Sequence, residues 1–425
     1  MEMDWPAPVV SVLNTLEAGG YEAYLVGGCV RDRLLGRPVT DFDVATNATP
    51  DQVVSLFPRT VPTGLKHGTV TVLSEGLPVE VTTYRKDIGY SDGRRPDKVA
   101  FCHSLEEDLS RRDFTVNAMA MDVRGHIVDC FGGRSDLARR VIRAVGVPSH
   151  RFQEDGLRIL RAFRFAAQLG FQLDDDTWRG MEQNAEKLRA VSPERIGVEV
   201  AKIAAADWSA VIDSMAKSEI WAYVDPHLRP LQQGFKRLST AAKSLQSWMK
   251  PHAVEDRIAE ALAIWCHAAG LTPTSCRAMG RALRWSNQYC QEAGDFLELL
   301  QANPLKWSTW EWRRHLFEFG EGRVERACAA LDIWENVGDD HRPRWTLFRE
   351  YAQTQPIWRV QDLQISGQDI VALGARGPLV GQVKQQLTED VLMKRVLNDR
   401  SHLLKRATAL IHSLAGGTTF DFTDG

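Results

Sequence analysis

The stretch Val26–Thr46, "VGGCVRDRLLGRPVTDFDVAT", decides the reading of this chain. A glycine pair, an Arg-Asp step and two carboxylates one residue apart fall within twenty-one positions. "YEAYLVGG" before it reads as a strand stopped at Gly27, and "DFDVAT" reads as a second strand. Alternation along a strand puts Asp41 and Asp43 on one face, where they repel unless a cation sits between them. Phosphoryl transfer uses a pair of such cations. Gly27 and Gly28 let backbone N–H groups approach a phosphate with no Cβ in the way, and Arg31 and Asp32 are expected to open the next helix. A solvated strand edge also carries Asp-x-Asp. The neighbours decide between the two readings.

Downstream, "GTVTVLSEG" and "LPVEVTTYR" alternate with period two and continue the sheet. The second places Glu80 between Val79 and Val81, which points the carboxylate away from the core as a third candidate ligand. Upstream, "VVSVLNTLEAGG" has the three-and-four spacing of a helix ended by glycines. A sheet with marginal helices makes the first 145 or so residues α+β. From about residue 150 nearly every segment has helical periodicity, beginning with "EDGLRILRAFRFAAQLGF". Ten of the thirteen tryptophans lie at or after Trp221, and "KWSTWEWRRHLFEF" reads as helical core rather than as a base-stacking surface.

Length and composition narrow the classes. A chain of 425 residues is long enough for about two to four domains. A net charge of −3 means that any nucleic acid must be met by local basic patches. Seven scattered cysteines with no CxxC pair suit reduced thiols rather than a zinc site or a disulfide framework. The N-terminus lacks the pattern of a signal peptide, and no apolar run approaches the roughly eighteen residues of a spanning helix, so a cytoplasmic protein is expected.

"LVGGCVRD…DFDVAT", "RRDFTVNAMA" (Arg111–Ala120) and "EDGLRILRAFRFAAQLGF" together resemble the class II tRNA nucleotidyltransferase and bacterial poly(A) polymerase family. The resemblance covers about residues 20–200. It implies an α+β chain with a polymerase-β-like nucleotidyltransferase head (1–148), followed by an all-helical neck (149–208), body (209–310) and tail (311–425). It also implies addition of CCA to the 3′ end of tRNA from CTP and ATP, with release of pyrophosphate and two Mg²⁺ ions on Asp41, Asp43 and Glu80. The body and tail would hold the acceptor stem and T-arm, with neither membrane nor protein partner required.

Residue by residue, the resemblance gives Arg112 to the triphosphate, Asp113 to the ribose 2′-OH and Asn117 to support of the site. Asp155 and Arg158, three apart on one expected helix face, present acceptors and donors that imitate a base edge; in the family they template the incoming C or A. Arg161 would share that side and meet phosphate, Arg164 would tie helices together, and Glu194 with Arg195 in "SPERIGVE" would brace the helix, with Ser192 as its cap. Gly132 and Gly133 form a turn and a hinge candidate between head and neck. Arg395, His402 and Arg406 are seven and four apart and form a candidate basic stripe for tRNA phosphates.

Arg85–Phe101, polar and with two glycines and Pro96, is expected to be a mobile loop. Family members that add only the two cytidines lack a stretch here, and this chain keeps it. The alternatives to full CCA addition are an A-adding member of a split pair and a poly(A) polymerase.

Overall fold

The computed structural model describes residues 5–64, 68–88, 98–102, 104–335 and 343–415. The first helix, α1 (Ala7–Ala18), buries Val9, Val12, Leu13 and Leu16 on one stripe and ends at Gly19, as the spacing predicts. Next come β1 (Ala23–Val26), α2 (Gly28–Leu34), β2 (Asp43–Thr46), α3 (Pro50–Leu56), β3 (Thr60–Gly64), β4 (Thr69–Ser74) and β5 (Leu77–Thr83). A reciprocal Thr49–Gln52 capping box starts α3. The chain continues through β6 (Arg85–Ile88), β7 (Lys98–Phe101), α4 (Leu105–Ser110), β8 (Ala120–Met121), β9 (Ile127–Val128) and α5 (Gly133–Arg139).

Seven strands form one sheet in the order β3-β4-β5-β2-β1-β8-β9. β2 and β5 run parallel, and the other neighbours are antiparallel. That one parallel step brings Asp43 directly opposite Glu80. The ends of the expected loop Arg85–Phe101 pair instead as the hairpin strands β6 and β7. Its Tyr90, Asp92, Arg94, Arg95 and Pro96 lie outside the described residues, as does the terminal "GGTTFDFTDG".

β10 (Val141–Ile142), α6 (Pro148–Glu154), α7 (Leu157–Leu169), β11 (Gln172–Leu173), α8 (Asp175–Gln183) and α9 (Pro193–Ala205) follow. The expected turn at Gly132 has a left-handed φ of 78°. A Cβ on Gly133 would stand 2.3 Å from the Thr115 carbonyl oxygen, so that position admits only glycine. From there to Ala415 the described chain is helical with short breaks.

Contacts divide the chain into two units, residues 1–246 with 250–290, and 247–249 with 291–425. In the first, Trp208, Trp221 and Trp265 are fully buried, with Phe235 lying 5.3 Å from Trp221 and 5.5 Å from Trp265. In the second, the helix Thr309–Phe319 starts with a Ser308–Glu311 capping box. It buries Trp312, which stacks on Tyr351 at 5.3 Å. The core reading of that tryptophan run therefore holds for Trp307 and Trp312. No described helix is long and apolar enough to cross a membrane.

Candidate active site

Strand register alone places the carboxylates. Phe42 is buried, as are Val79 and Val81 on β5, so Asp43 and Glu80 project from the other face. The Glu80 N–H donates to the Phe42 carbonyl at 2.9 Å and locks the pairing. Asp41 is exposed and precedes β2, which begins at Asp43; the expectation that both aspartates lie within one strand is corrected to that extent. Their shared side survives because Phe42 between them points inward. Among the described residues, no side chain donates a hydrogen bond to Asp43 or Glu80. Burial raises the Asp43 carboxyl above its usual range; Arg112 opposes this, and Glu80 and Asp41 add to it.

Gly27 has φ 75° and ψ −130°. A Cβ there would lie 3.0 Å from Arg112 Nη1 and 3.8 Å from Asp43 Oδ2, so its absence keeps the floor of the site open. The helix begins at Gly28, so Arg31 and Asp32 sit inside it rather than opening it. Arg31 is buried and donates to Asn117 Oδ1 at 2.6 Å and to both Asp32 oxygens at 3.0 and 2.7 Å.

Arg111 and Arg112 both donate to the buried Asp108, at 2.7 and 3.2 Å. Arg112 Nε is buried with no hydrogen-bond partner among the described residues. Asp113 is buried too, and its oxygens take four donors: Phe114 N–H at 2.8 Å, Asn117 Nδ2 at 3.2 Å, Arg161 Nε at 2.8 Å and Arg161 Nη2 at 2.5 Å. Burial opposes its ionisation, but Arg161 and Arg158 overcome that and bring its pKa down to about 2. A carboxylate offers about four acceptor positions, and these are taken. In this structure the protein itself fills those positions: Asp113, expected at a ribose hydroxyl, holds Arg161 and Asn117 in place.

The segment "EDGLR" is not one helix. α6 ends at Glu154, Asp155 is extended (φ −145°, ψ 106°), and α7 begins at Leu157. A Cβ on Gly156 would meet the Lys187 carbonyl group at 2.7 Å, which accounts for glycine at the break. Asp155 and Arg158 thus reach the site from a helix junction rather than from one face. Arg195 Nη2 donates to Asp155 Oδ2 at 2.6 Å and Leu157 N–H to Oδ1 at 3.0 Å. Arg158 donates to Glu154 at 2.7 Å and to the Arg111 carbonyl at 3.0 Å. Arg164 ties α7 to Glu199 of α9 at 2.5 Å. Arg195 does brace this region, but Glu194 faces Arg284 at 3.6 Å, and Ser192 occupies the cap position with its hydroxyl finding no partner among the described residues.

These elements enclose a cavity of about 590 Å³. It gathers Gly27, Gly28, Arg31, Asp43, Glu80, Arg112, Asp113, Asn117, Asp155, Arg158 and Arg161; Asp41 is not in its lining. Thr69, Thr82, Arg85 and Phe165 also line it and were not singled out from the sequence. Thr82 was within reach, since it lies two residues after Glu80 on the same strand face. Seven arginines stand against four carboxylates in the wall, a balance that suits a polyanion.

No group of three or more potential metal ligands is gathered among the described residues. In the C-terminal unit the expected basic stripe is corrected. Arg395 lies in the turn after the helix Pro378–Leu392, whereas His402 and Arg406 belong to the helix Arg400–Ala415. The buried Asp390 accepts from Arg406 Nε at 2.7 Å and has Arg395 at 3.7 Å, while His402 faces Asp399 at 2.5 Å.

Three family models match the chain: a poly(A) polymerase head domain over residues 23–143, a probable RNA- and SrmB-binding site of polymerase A over 170–231, and a putative tRNA nucleotidyltransferase domain 2 over 253–407. The CCA-adding enzyme of Geobacillus kaustophilus is 38% identical over 402 residues, 93% of this chain and 94% of the relative. That of Limosilactobacillus fermentum is 37% identical, covering 95% of this chain and 97% of the relative. A solved Bacillus stearothermophilus CCA-adding enzyme in complex with CTP superimposes with a TM-score of 0.80 at 34% identity, covering 97% of this chain and all of the other. With this likeness running the length of the chain and the cavity sitting inside the matched head and the helices after it, the chain belongs to the family of CCA-adding enzymes.

Proposed function

We propose that the arginine-lined cavity is a nucleotidyl-transfer site, where the 3′-hydroxyl of a tRNA is joined to the α-phosphate of CTP, CTP again and then ATP. Each turn forms one oxygen–phosphorus bond and breaks the bond to the departing pyrophosphate. The observation that carries this reading is the pair Asp43 and Glu80, held side by side by parallel register beneath seven arginines. The Bacillus stearothermophilus relative, solved with CTP, supports a cytidine nucleotide as one substrate.

The donor set fits magnesium. Asp41, Asp43 and Glu80 are hard oxygen ligands; burial first, and then Glu80 and Asp41, raise the Asp43 carboxyl against the pull of Arg112, and a cation would relieve that cost. With no ready cluster of three ligands among the described residues, an ion here would be held by one or two carboxylates together with substrate phosphates, a usual arrangement for Mg²⁺. Two Mg²⁺ ions would supply Lewis acidity at the α-phosphate and charge neutralisation for the leaving pyrophosphate. Arg112, Arg31 and Arg161 bind the triphosphate through charge-assisted hydrogen bonds. Asp155 and Arg158 read the base edge; Arg195 and Glu154 fix the two side chains in place for this. Gly28 keeps the approach to the phosphates clear. In this reading residues 1–148 are the catalytic head and 149–208 the base-reading neck, and the helices beyond hold the acceptor stem and T-arm by shape and phosphates. Seven free thiols suit a reducing cytoplasm.

The test supplies the protein with tRNAs ending at the discriminator base, at C and at CC, with CTP and ATP separately and together. Full CCA ends on all three are expected. Extension of the CC-ending tRNA alone would make the protein an A-adding member of a split pair, and long A tails on unrelated RNA would make it a poly(A) polymerase.

A further inference from the structure

Phe165 lines the cavity, yet none of the roles above uses it. Its ring is buried and held edge-on by Phe114, at 5.7 Å and 77°. Three guanidinium groups lie over that ring: Arg164 at 3.9 Å, Arg31 at 5.3 Å and Arg161 at 5.3 Å from its centre. Arg31 comes from α2, whereas Arg161 and Arg164 come from α7. One aromatic side chain therefore gathers cations from two separate elements.

The choice of an aromatic ring has a physical consequence. Carboxylates already take donors from these arginines, Asp32 from Arg31 and Asp113 from Arg161; a further carboxylate in place of the ring would take those that remain and cancel more of the charge a phosphate needs. The negative face of a ring attracts a cation and leaves its N–H edge free. Arg31 spends three of its five N–H groups on Asp32 and Asn117, and Arg161 spends two on Asp113. Among the described residues nothing accepts from Arg161 Nη1. Arg164, anchored on Glu199, closes the back of the cluster.

We propose that Phe165 is the positioning residue for triphosphate recognition: its face fixes Arg31 and Arg161 with their donor edges open to phosphate oxygens. This rests on the nucleotidyl-transfer reading of the same cavity. Because the ring acts on the phosphate side, its effect is blind to the base, and CTP and ATP depend on it equally.

The experiment compares wild type, Phe165→Leu and Phe165→Tyr in single-nucleotide addition, and measures tripolyphosphate binding by calorimetry without tRNA. Phe165→Met replaces the leucine variant if the latter fails to fold. The leucine variant is expected to raise KM for CTP and ATP about tenfold each, the loss of one or two partly desolvated cation–π contacts. Its CTP-to-ATP ratio and its KM for tRNA should stay within about twofold of wild type. Tripolyphosphate binding should weaken by the same factor, and the tyrosine variant, which keeps the ring face, should recover most of both losses. Unchanged nucleotide KM and tripolyphosphate affinity in the leucine variant would overturn the proposal, as would a tyrosine variant no better than leucine. Failure of wild type to use either nucleotide would instead remove the nucleotidyl-transfer reading, and the tripolyphosphate arm would still decide whether Phe165 organises an anion site.

Discussion

Asp43 and Asp113 line one cavity and are built in opposite ways. Asp43, opposite Glu80, receives no side-chain hydrogen bond among the described residues, and burial pushes its carboxyl up. Asp113 receives four hydrogen bonds and is brought down to about 2. A carboxylate left bare beside another is unfavourable until a cation arrives, so its geometry serves a ligand. A saturated carboxylate has nothing left to offer a ligand, so its geometry serves the arginine it holds. Asp155 falls between the two: Arg195 and the Leu157 N–H hold it, yet it faces the cavity.

The largest expected effect tests the bare side of this contrast. Asp43→Ala should abolish incorporation of both nucleotides, by about a thousandfold or more, the scale seen when a preorganised electrostatic group is removed. Its melting temperature should be unchanged or slightly raised, because the substitution removes a partly buried charge to which no side chain among the described residues donates. Thermal melting beside a single-turnover assay checks both. A large loss of stability would mean that Asp43 is tied into the fold and does not belong on the bare side.

A smaller effect is expected at Asp155. Asp155→Ala should blur the choice between CTP and ATP by about 10–100-fold, the worth of a charge-assisted hydrogen bond to the base edge. Arg195→Ala should blur it less, about threefold to tenfold, since Leu157 N–H still holds Oδ1. The ratio of kcat/KM values for the two nucleotides is the readout. An unchanged ratio in Asp155→Ala would place Asp155 with Asp113, as a holder of neighbours only.

Much of this contrast was legible in the sequence, but unevenly. Alternation alone put Asp41 and Asp43 on one face and pointed Glu80 away from the core between Val79 and Val81, because strand period and burial are local properties. The parallel step that sets Asp43 opposite Glu80 was not legible, since register between distant strands depends on the whole sheet. The break at Asp155 escaped for a similar reason: beside it, Gly156 is packed against the Lys187 backbone, a contact thirty-odd residues away. Asp113 was found as a site residue, but its saturation required knowing that Arg161, forty-eight positions on, reaches it twice. A short strand such as β8, two residues long, carries too little pattern to announce itself.

The smallest functional effect is expected where a charge is tied down outside the cavity. Seven-and-four spacing suggested that Arg395, His402 and Arg406 line up for tRNA, but a turn separates Arg395 from the helix carrying the other two. Asp390 is 1% exposed, and Arg406 Nε is the 2.7 Å donor to its Oδ2. Truncating Arg406 leaves that oxygen short of its donor, at a cost of about 1–3 kcal/mol. Arg395, at 3.7 Å from the other oxygen, offsets part of it. Arg406→Ala should therefore lower the melting temperature by a few degrees and change KM for tRNA by less than about twofold. His402→Ala, an exposed side chain on the exposed Asp399, should leave both within error. If either variant weakens tRNA binding tenfold while melting as wild type does, the charge in question serves a ligand after all, and being held by a neighbouring carboxylate would no longer separate scaffold from site.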